Sequence, residues 1–135
     1  MYKFSEVSLK RLETCHPRLQ ILMRAALKTG IMDLTITNGY RDEATQNRYY
    51  DEGRSRVRYP DGKHNSKPSR AVDVAPFING NLSYDKAHCC HMAGIILGIA
   101  ASLGFKVRWG GNWDMDGEPV TDQDFQDLVH FELVS

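Results

Sequence analysis

Three residues of metal-ligand type fall on or beside short β-rich runs: His64, Asp73 and His130. Asp73 lies in Arg70-Ala71-Val72-Asp73-Val74-Ala75. On a strand it shares a face with Ala71 and Ala75, while Val72 and Val74 turn the other way. An acid between two alanines has open space in front of it, room for a metal or a substrate. His130, in Val129-His130-Phe131-Glu132-Leu133, shares its face with Glu132 and leaves Val129, Phe131 and Leu133 as an apolar face. His64 precedes Asp73 across a proline-containing loop and can fold back beside it. Two histidines and a carboxylate are a usual catalytic zinc set, with a fourth position left for water. Zinc brings that water's pKa to about 7 and polarises a carbonyl, the two things amide hydrolysis needs. A base must stand near the water, and Asp127 is three residues before His130. Spacing alone leaves a structural role open for each of these side chains, since lone histidines and strand aspartates often serve packing or turns.

The elements that must position them can be read along the chain. Ser5 can cap a short helix carrying Val7, Leu9 and Leu12. Pro17 suits the first turn of a second helix with Leu19, Leu22, Met23, Ala26 and Leu27 on one face, and Gly30 suits its end. Leu34 to Thr37 reads as a strand, and a polar helix follows Gly39-Tyr40-Arg41 to about Gly53. A loop from Arg54 to Arg70 holds Pro60-Asp61-Gly62 and Pro68. Ala71 to Ala75 is the second strand, Asn79-Gly80 a turn, and Ser83 the cap of a long helix through Leu103 that Gly104 ends. Phe105 to Trp109 is a third strand, Gly110 to Asp122 a glycine- and acid-rich loop, and Val129 to Val134 a closing strand. Early and late helices with separate short strands predict an α+β fold: one domain over residues 1–135, a small, mostly antiparallel sheet with helices packed on it, and the zinc site on the sheet.

The run from Lys63 to Pro76 resembles the first zinc motif of the D-alanyl-D-alanine carboxypeptidase and L-alanyl-D-glutamate endopeptidase family, which includes VanY-like carboxypeptidases and many phage endolysins. Asp127 to Leu133 is similar to its second motif, and Trp109-Gly110-Gly111-Asn112-Trp113-Asp114 to the loop before that motif in phage-type members. Phe4 to Leu12 and Thr37-Asn38-Gly39-Tyr40-Arg41 match as well, so the likeness runs in order over nearly the whole chain. The resemblance implies Zn2+ held by His64, Asp73 and His130, Asp127 as general base, and Arg41 steadying the scissile carbonyl's developing charge or a substrate carboxylate. The residue-level alternative for Arg41 is an ion pair with Asp42 or Glu43 at the helix start. Gly62 stands where many members have Ser, so a substrate-binding hydroxyl is missing there. Glu132 also faces the site; it can orient a ligand or compete with Asp127 as base, and the motif spacing favours Asp127.

Other clusters have plainer readings. His88-Cys89-Cys90-His91 on a helix points around most of a turn and reads as core and surface residues. Asn112, Asp114 and Asp116 before Gly117 imitate the start of a calcium loop, but Gln123 stands at the closing position, so the segment reads as a polar turn at the active-site rim. Trp109 and Trp113 read as core and cleft wall.

Composition narrows the function classes. Apolar residues are 41% and charged residues 25%, enough for one core without disulfides. Basic and acidic side chains balance at 17 each, against a nucleic-acid binder, which usually carries a basic excess. The three cysteines, two of them adjacent, suit a reducing compartment better than a disulfide framework. No basic start with an apolar run marks Sec export, and the apolar stretch Ala93 to Leu103 is too short to span a bilayer. The expectation is a monomeric zinc endopeptidase cutting L-Ala–D-Glu in peptidoglycan stem peptides. It would be made in the host bacterial cytoplasm without membrane insertion, and reach the wall through a holin-like pore. The alternatives are a D-alanyl-D-alanine carboxypeptidase, with the same chemistry, and a non-catalytic zinc-stabilised binding module.

Overall fold

Alternation of apolar and polar residues along the strands gives one twisted sheet with one face for a core and one for chemistry. The computed structural model describes residues 1–134. Strands β1 (Asp33–Asn38), β2 (Ala71–Ile78), β3 (Asn81–Leu82), β4 (Val107–Gly110) and β5 (Asp127–Leu133) form it in the order β1-β2-β5-β4, with β3 pairing β2 as a short hairpin. Every strand pair is antiparallel, as expected for this α+β chain. Asn79 and Gly80 make the β2–β3 turn in the left-handed region, at φ 51° and 82°. The strand β3 itself is too short to carry a periodic signal.

Helices α1 (Glu6–Glu13), α2 (Pro17–Lys28) and α4 (Lys86–Leu103) cover the apolar face; α3 (Glu43–Asp51) stands by the other. Ser5 caps α1 by accepting from the Ser8 N–H, and Pro17 opens α2, where its missing N–H costs nothing. Leu19, Leu22, Met23, Ala26 and Leu27 of α2 are buried as their spacing predicts. They meet Leu34 and Ile36 of β1, Val72 and Val74 of β2, Phe131 and Leu133 of β5, and Met92, Ala93 and Ile96 of α4.

Three expectations change in detail. Asp85, not Ser83, caps α4: its carboxylate reaches the Ala87 and His88 N–H groups, while the Ser83 hydroxyl bonds the His88 ring. The loop from Arg54 to Arg70 contains a 3-10 turn at Lys63–Asn65. The helix α4 spans 18 residues, and its length and composition would suit a membrane span, unlike the shorter run 93–103. Cys89, Met92, Ala93, Ile96 and Ala100 on one face are nevertheless buried, so the helix is built into the core.

Candidate active site

The pairing of β2 with β5 sets Asp73 opposite His130, and both side chains leave the sheet on the face away from the core. His64 reaches the same point from the 3-10 turn. That turn is tied to the chain after β1: the Arg41 N–H donates to the His64 carbonyl at 2.8 Å, and the Asn65 amide donates to the Arg41 carbonyl at 3.1 Å. The space in front of Asp73 is therefore filled by Arg41, His64 and His130, and the acid is 4% exposed.

One nitrogen of each histidine is anchored outward. His64 Nδ1 donates to the Gly39 carbonyl at 2.6 Å, and His130 Nε2 lies 2.8 Å from Glu132 Oε1. The inner nitrogens converge: His64 Nε2 is 3.1 Å and His130 Nδ1 3.2 Å from the same oxygen, Asp73 Oδ1. A carbonyl can only accept, so Gly39 fixes the His64 proton on Nδ1. In the neutral ring, Nε2 then turns a lone pair toward a carboxylate. Two acceptors face one another, an arrangement that a cation between them relieves. Donors about 2.1 Å from a tetrahedral zinc stand about 3.4 Å apart, close to the spacing observed. All three ligand atoms lie within 4.8 Å of one another, so His64, Asp73 and His130 form a candidate metal centre whose donor set fits zinc.

The electrostatics follow from burial and partners. Burial lowers the His64 pKa, partly opposed by Asp73. Burial would raise Asp73, but the positive charge and hydrogen bonds that His64 and His130 offer when protonated hold it well below the usual carboxylate range. Burial opposes protonation of His130, but its bonds to Asp73 and Glu132 outweigh that and raise it to about 9. Glu132 is pulled down to about 2 against its burial by His130 and by Arg108, which donates to Oε2 at 2.7 and 3.2 Å. Asp127, half-buried at the start of β5, moves the opposite way. Burial, then the charge of Asp73, push it up to about 6. Glu132 is thus a fixed acceptor orienting His130, whereas Asp127 has a pKa suited to taking up a proton.

Arg41 pairs with neither Asp42 nor Glu43. Its guanidinium donates to Asp73 Oδ2 at 2.6 Å and lies over the Tyr49 ring, 4.5 Å from its centroid. Asp42 instead caps α3 through the Thr45 N–H. A cleft of about 430 Å3 opens onto the centre, bordered by Arg41, His64, Asp127, His130, Trp113 and Phe125. Trp113 walls it as expected, stacked at 6.2 Å on Phe125 and 5.6 Å from the His130 ring, while Trp109 is buried and donates to the Leu128 carbonyl. A second cleft, of about 620 Å3, shares Arg41 and Asp127 with the first and extends past Tyr84 and Leu128.

Sequence reasoning missed Gln46. This 1% exposed amide on α3 donates to the Val57 carbonyl and Ser55 Oγ, and its oxygen faces Arg41 and Asn65. One buried glutamine in a polar helix gives no periodic signal. Of the other clusters, Cys89 is buried, Cys90 half-buried and His91 exposed on α4. Asp114 and Asp116 meet Asp122, a residue outside the sequence pattern, on an exposed loop.

Two substitutions test the support around the ligands. Glu132→Gln keeps the shape but loses the charge that orients His130, and is expected to weaken zinc binding about 10- to 100-fold in a competition titration. At Gly39 an added Cβ would run into Thr14 Oγ1 and the Arg11 carbonyl. Gly39→Ala is expected to destabilise the fold by about 1–3 kcal/mol and to weaken metal binding as well, because the displaced carbonyl is the one holding His64. Thermal melts of the metal-free protein and the same titration separate the two effects.

Comparison with known proteins places the chain among peptidases. Residues 1–134 match the family model described as phage L-alanyl-D-glutamate peptidase. The chain is 31% identical over 118 residues to the L-alanyl-D-glutamate peptidase of Escherichia phage T5, covering 87% of this chain and 85% of that protein. The crystal structure of the Serratia marcescens L-Ala D-Glu endopeptidase ChiX superposes with a TM-score of 0.79 at 25% identity, over 99% of this chain and 90% of that one. A match over this length, together with a buried His-Asp-His centre on the sheet, places the chain in the phage L-alanyl-D-glutamate peptidase family.

Proposed function

We propose that this chain is a zinc-dependent endopeptidase that hydrolyses the L-Ala–D-Glu bond of peptidoglycan stem peptides, working as one catalytic domain. The observation that carries the reading is the convergence of His64 Nε2 and His130 Nδ1 on Asp73 Oδ1 at the end of a cleft. The family membership and the activity for which both relatives are named support the bond.

In this reading His64, Asp73 and His130 hold the metal. Bound zinc supplies Lewis acidity, polarising the scissile carbonyl and bringing a water's pKa to about 7. Asp127 takes the proton of the attacking water and returns it to the leaving amine; a pKa near its own favours both transfers. Arg41 pairs with the Asp73 carboxylate and brings positive charge to the cleft where the carbonyl oxygen gains negative charge. Glu132 fixes the ring of His130, and Trp113 and Phe125 shield the centre on one side.

The chain fits synthesis in the host cytoplasm as a monomer, followed by access to the wall through a holin-like pore. The test is digestion of purified peptidoglycan with and without a chelator, with mass spectrometry of the fragments. Chelator-sensitive appearance of N-terminal D-Glu is expected. Release of terminal D-Ala instead would make the enzyme a carboxypeptidase, and no product with zinc present would leave a binding module.

A further inference from the structure

A glutamate acylated on its nitrogen still carries two carboxyl groups, and continuing a peptide uses only one of them. An L-Ala–D-Glu substrate therefore presents a free carboxylate on the leaving side of the bond. The cleft must meet that charge or leave it in water. Four cationic side chains line it: Arg41, Arg56, Lys63 and Arg108. Two are already engaged, Arg41 by Asp73 and Arg108 by Glu132. Lys63 points its Nζ toward the Leu133 carbonyl, 3.4 Å away. Arg56 has no ion pair among the described residues.

Arg56 is nonetheless held in place. The amide of buried Gln46 donates to Ser55 Oγ at 3.0 Å and to the Val57 carbonyl at 2.8 Å, bracketing Arg56 on both sides. The oxygen of the same amide accepts from Arg41 and Asn65, the neighbours of the metal centre. One glutamine thus fixes the loop that carries Arg56 relative to the catalytic wall. From the opposite wall the Phe125 ring sits beneath the guanidinium, with Cζ 4.6 Å from its centroid, and Phe125 stacks on Trp113 beside His130. The ring holds the cation by its π face and takes up none of its N–H groups, which stay free to pair with a carboxylate.

We propose that Arg56 is a specificity residue that binds the free carboxylate of the D-glutamyl residue. This rests on the endopeptidase reading above. A lysine would not serve equally, because a guanidinium fork meets a carboxylate with two parallel N–H bonds and an ammonium does not.

The test compares two peptides with the zinc-loaded full chain: N-acetyl-L-Ala–D-Glu–L-Lys joined through the γ-carboxyl, with the α-carboxylate free, and the same peptide with it amidated. The wild type is expected to favour the free carboxylate in kcat/KM by about tenfold or more. Arg56→Gln should lower kcat/KM on that peptide about 10- to 100-fold, leave the amidated peptide within about threefold, and so abolish the preference. Arg56→Lys should fall between the two. Equal losses on both peptides, or no loss on either, would overturn the subsite while leaving the peptidase intact. Failure of the wild type to release N-terminal D-Glu or its amide from either peptide would remove the endopeptidase reading, and the subsite with it.

Discussion

Asp127→Asn is expected to lower turnover about a thousandfold while the protein keeps its zinc and its fold, measured by release of N-terminal D-Glu beside metal content and a thermal melt. The substitution keeps size and removes the one property the reaction needs, a carboxylate able to take a proton near neutral pH. Asp127 is not among the converging ligand atoms, so metal content should not change. Stability should hold or rise slightly, because the charge of Asp73 is one of the causes pushing this carboxyl up to about 6. Removing that repulsion relieves the metal-free protein. Retained turnover would pass the base role to Glu132, which His130 and Arg108 hold at about 2. A binding module would be unaffected by Asp127→Asn.

The second large effect concerns Asp73. This carboxylate accepts from Arg41 through Oδ2 and faces both histidines through Oδ1, and its side chain is 5% exposed. Asp73→Asn should abolish metal binding and activity together. It should also destabilise the metal-free fold by about 3–5 kcal/mol, because the buried Arg41 loses its counter-charge. In a domain of this size that is a fall of roughly 10 °C or more in Tm. The melt must be run with chelator on both proteins, since bound zinc adds its own stabilisation to the wild type. Pairing Asp73→Asn with Arg41→Met should recover part of the loss, because the uncompensated cation is then gone. A double variant as unstable as the sum of the singles would mean that the two residues do not act as a pair.

How far the sequence reached depended on whether a signal was periodic. The alternation Val72, Val74 against Ala71, Asp73, Ala75 places Asp73 on the chemical face of β2, and Phe131, Leu133 against His130, Glu132 does the same on β5. Burial of one face of an amphipathic strand leaves no choice about the other. The motif resemblance then joined His64 to the pair across a loop whose path periodicity does not encode. What escaped was nonperiodic and long-range. In the sequence the acids nearest Arg41 are Asp42 and Glu43, yet its partner is Asp73, 32 residues away. Gln46, Tyr49 and Phe125 look like ordinary polar-helix and loop residues until the fold brings them around the cleft. Capping by Asp85 rather than Ser83 turned on two neighbouring side chains competing for the same N–H groups, a contest that a sequence pattern does not decide.

The antiparallel match of Asp73 with His130 ties metal affinity to the alignment of two strands. Sliding β5 by a single residue would turn His130 into the core and bring Phe131 or Val129 onto the chemical face. A chain folded in the wrong alignment would thus lack a zinc site altogether, not own a poor one. Under the zinc reading proposed above, metal uptake would act as a proofreader of folding: it would stabilise only correctly aligned chains, and the metal-loaded fraction of a preparation would count them.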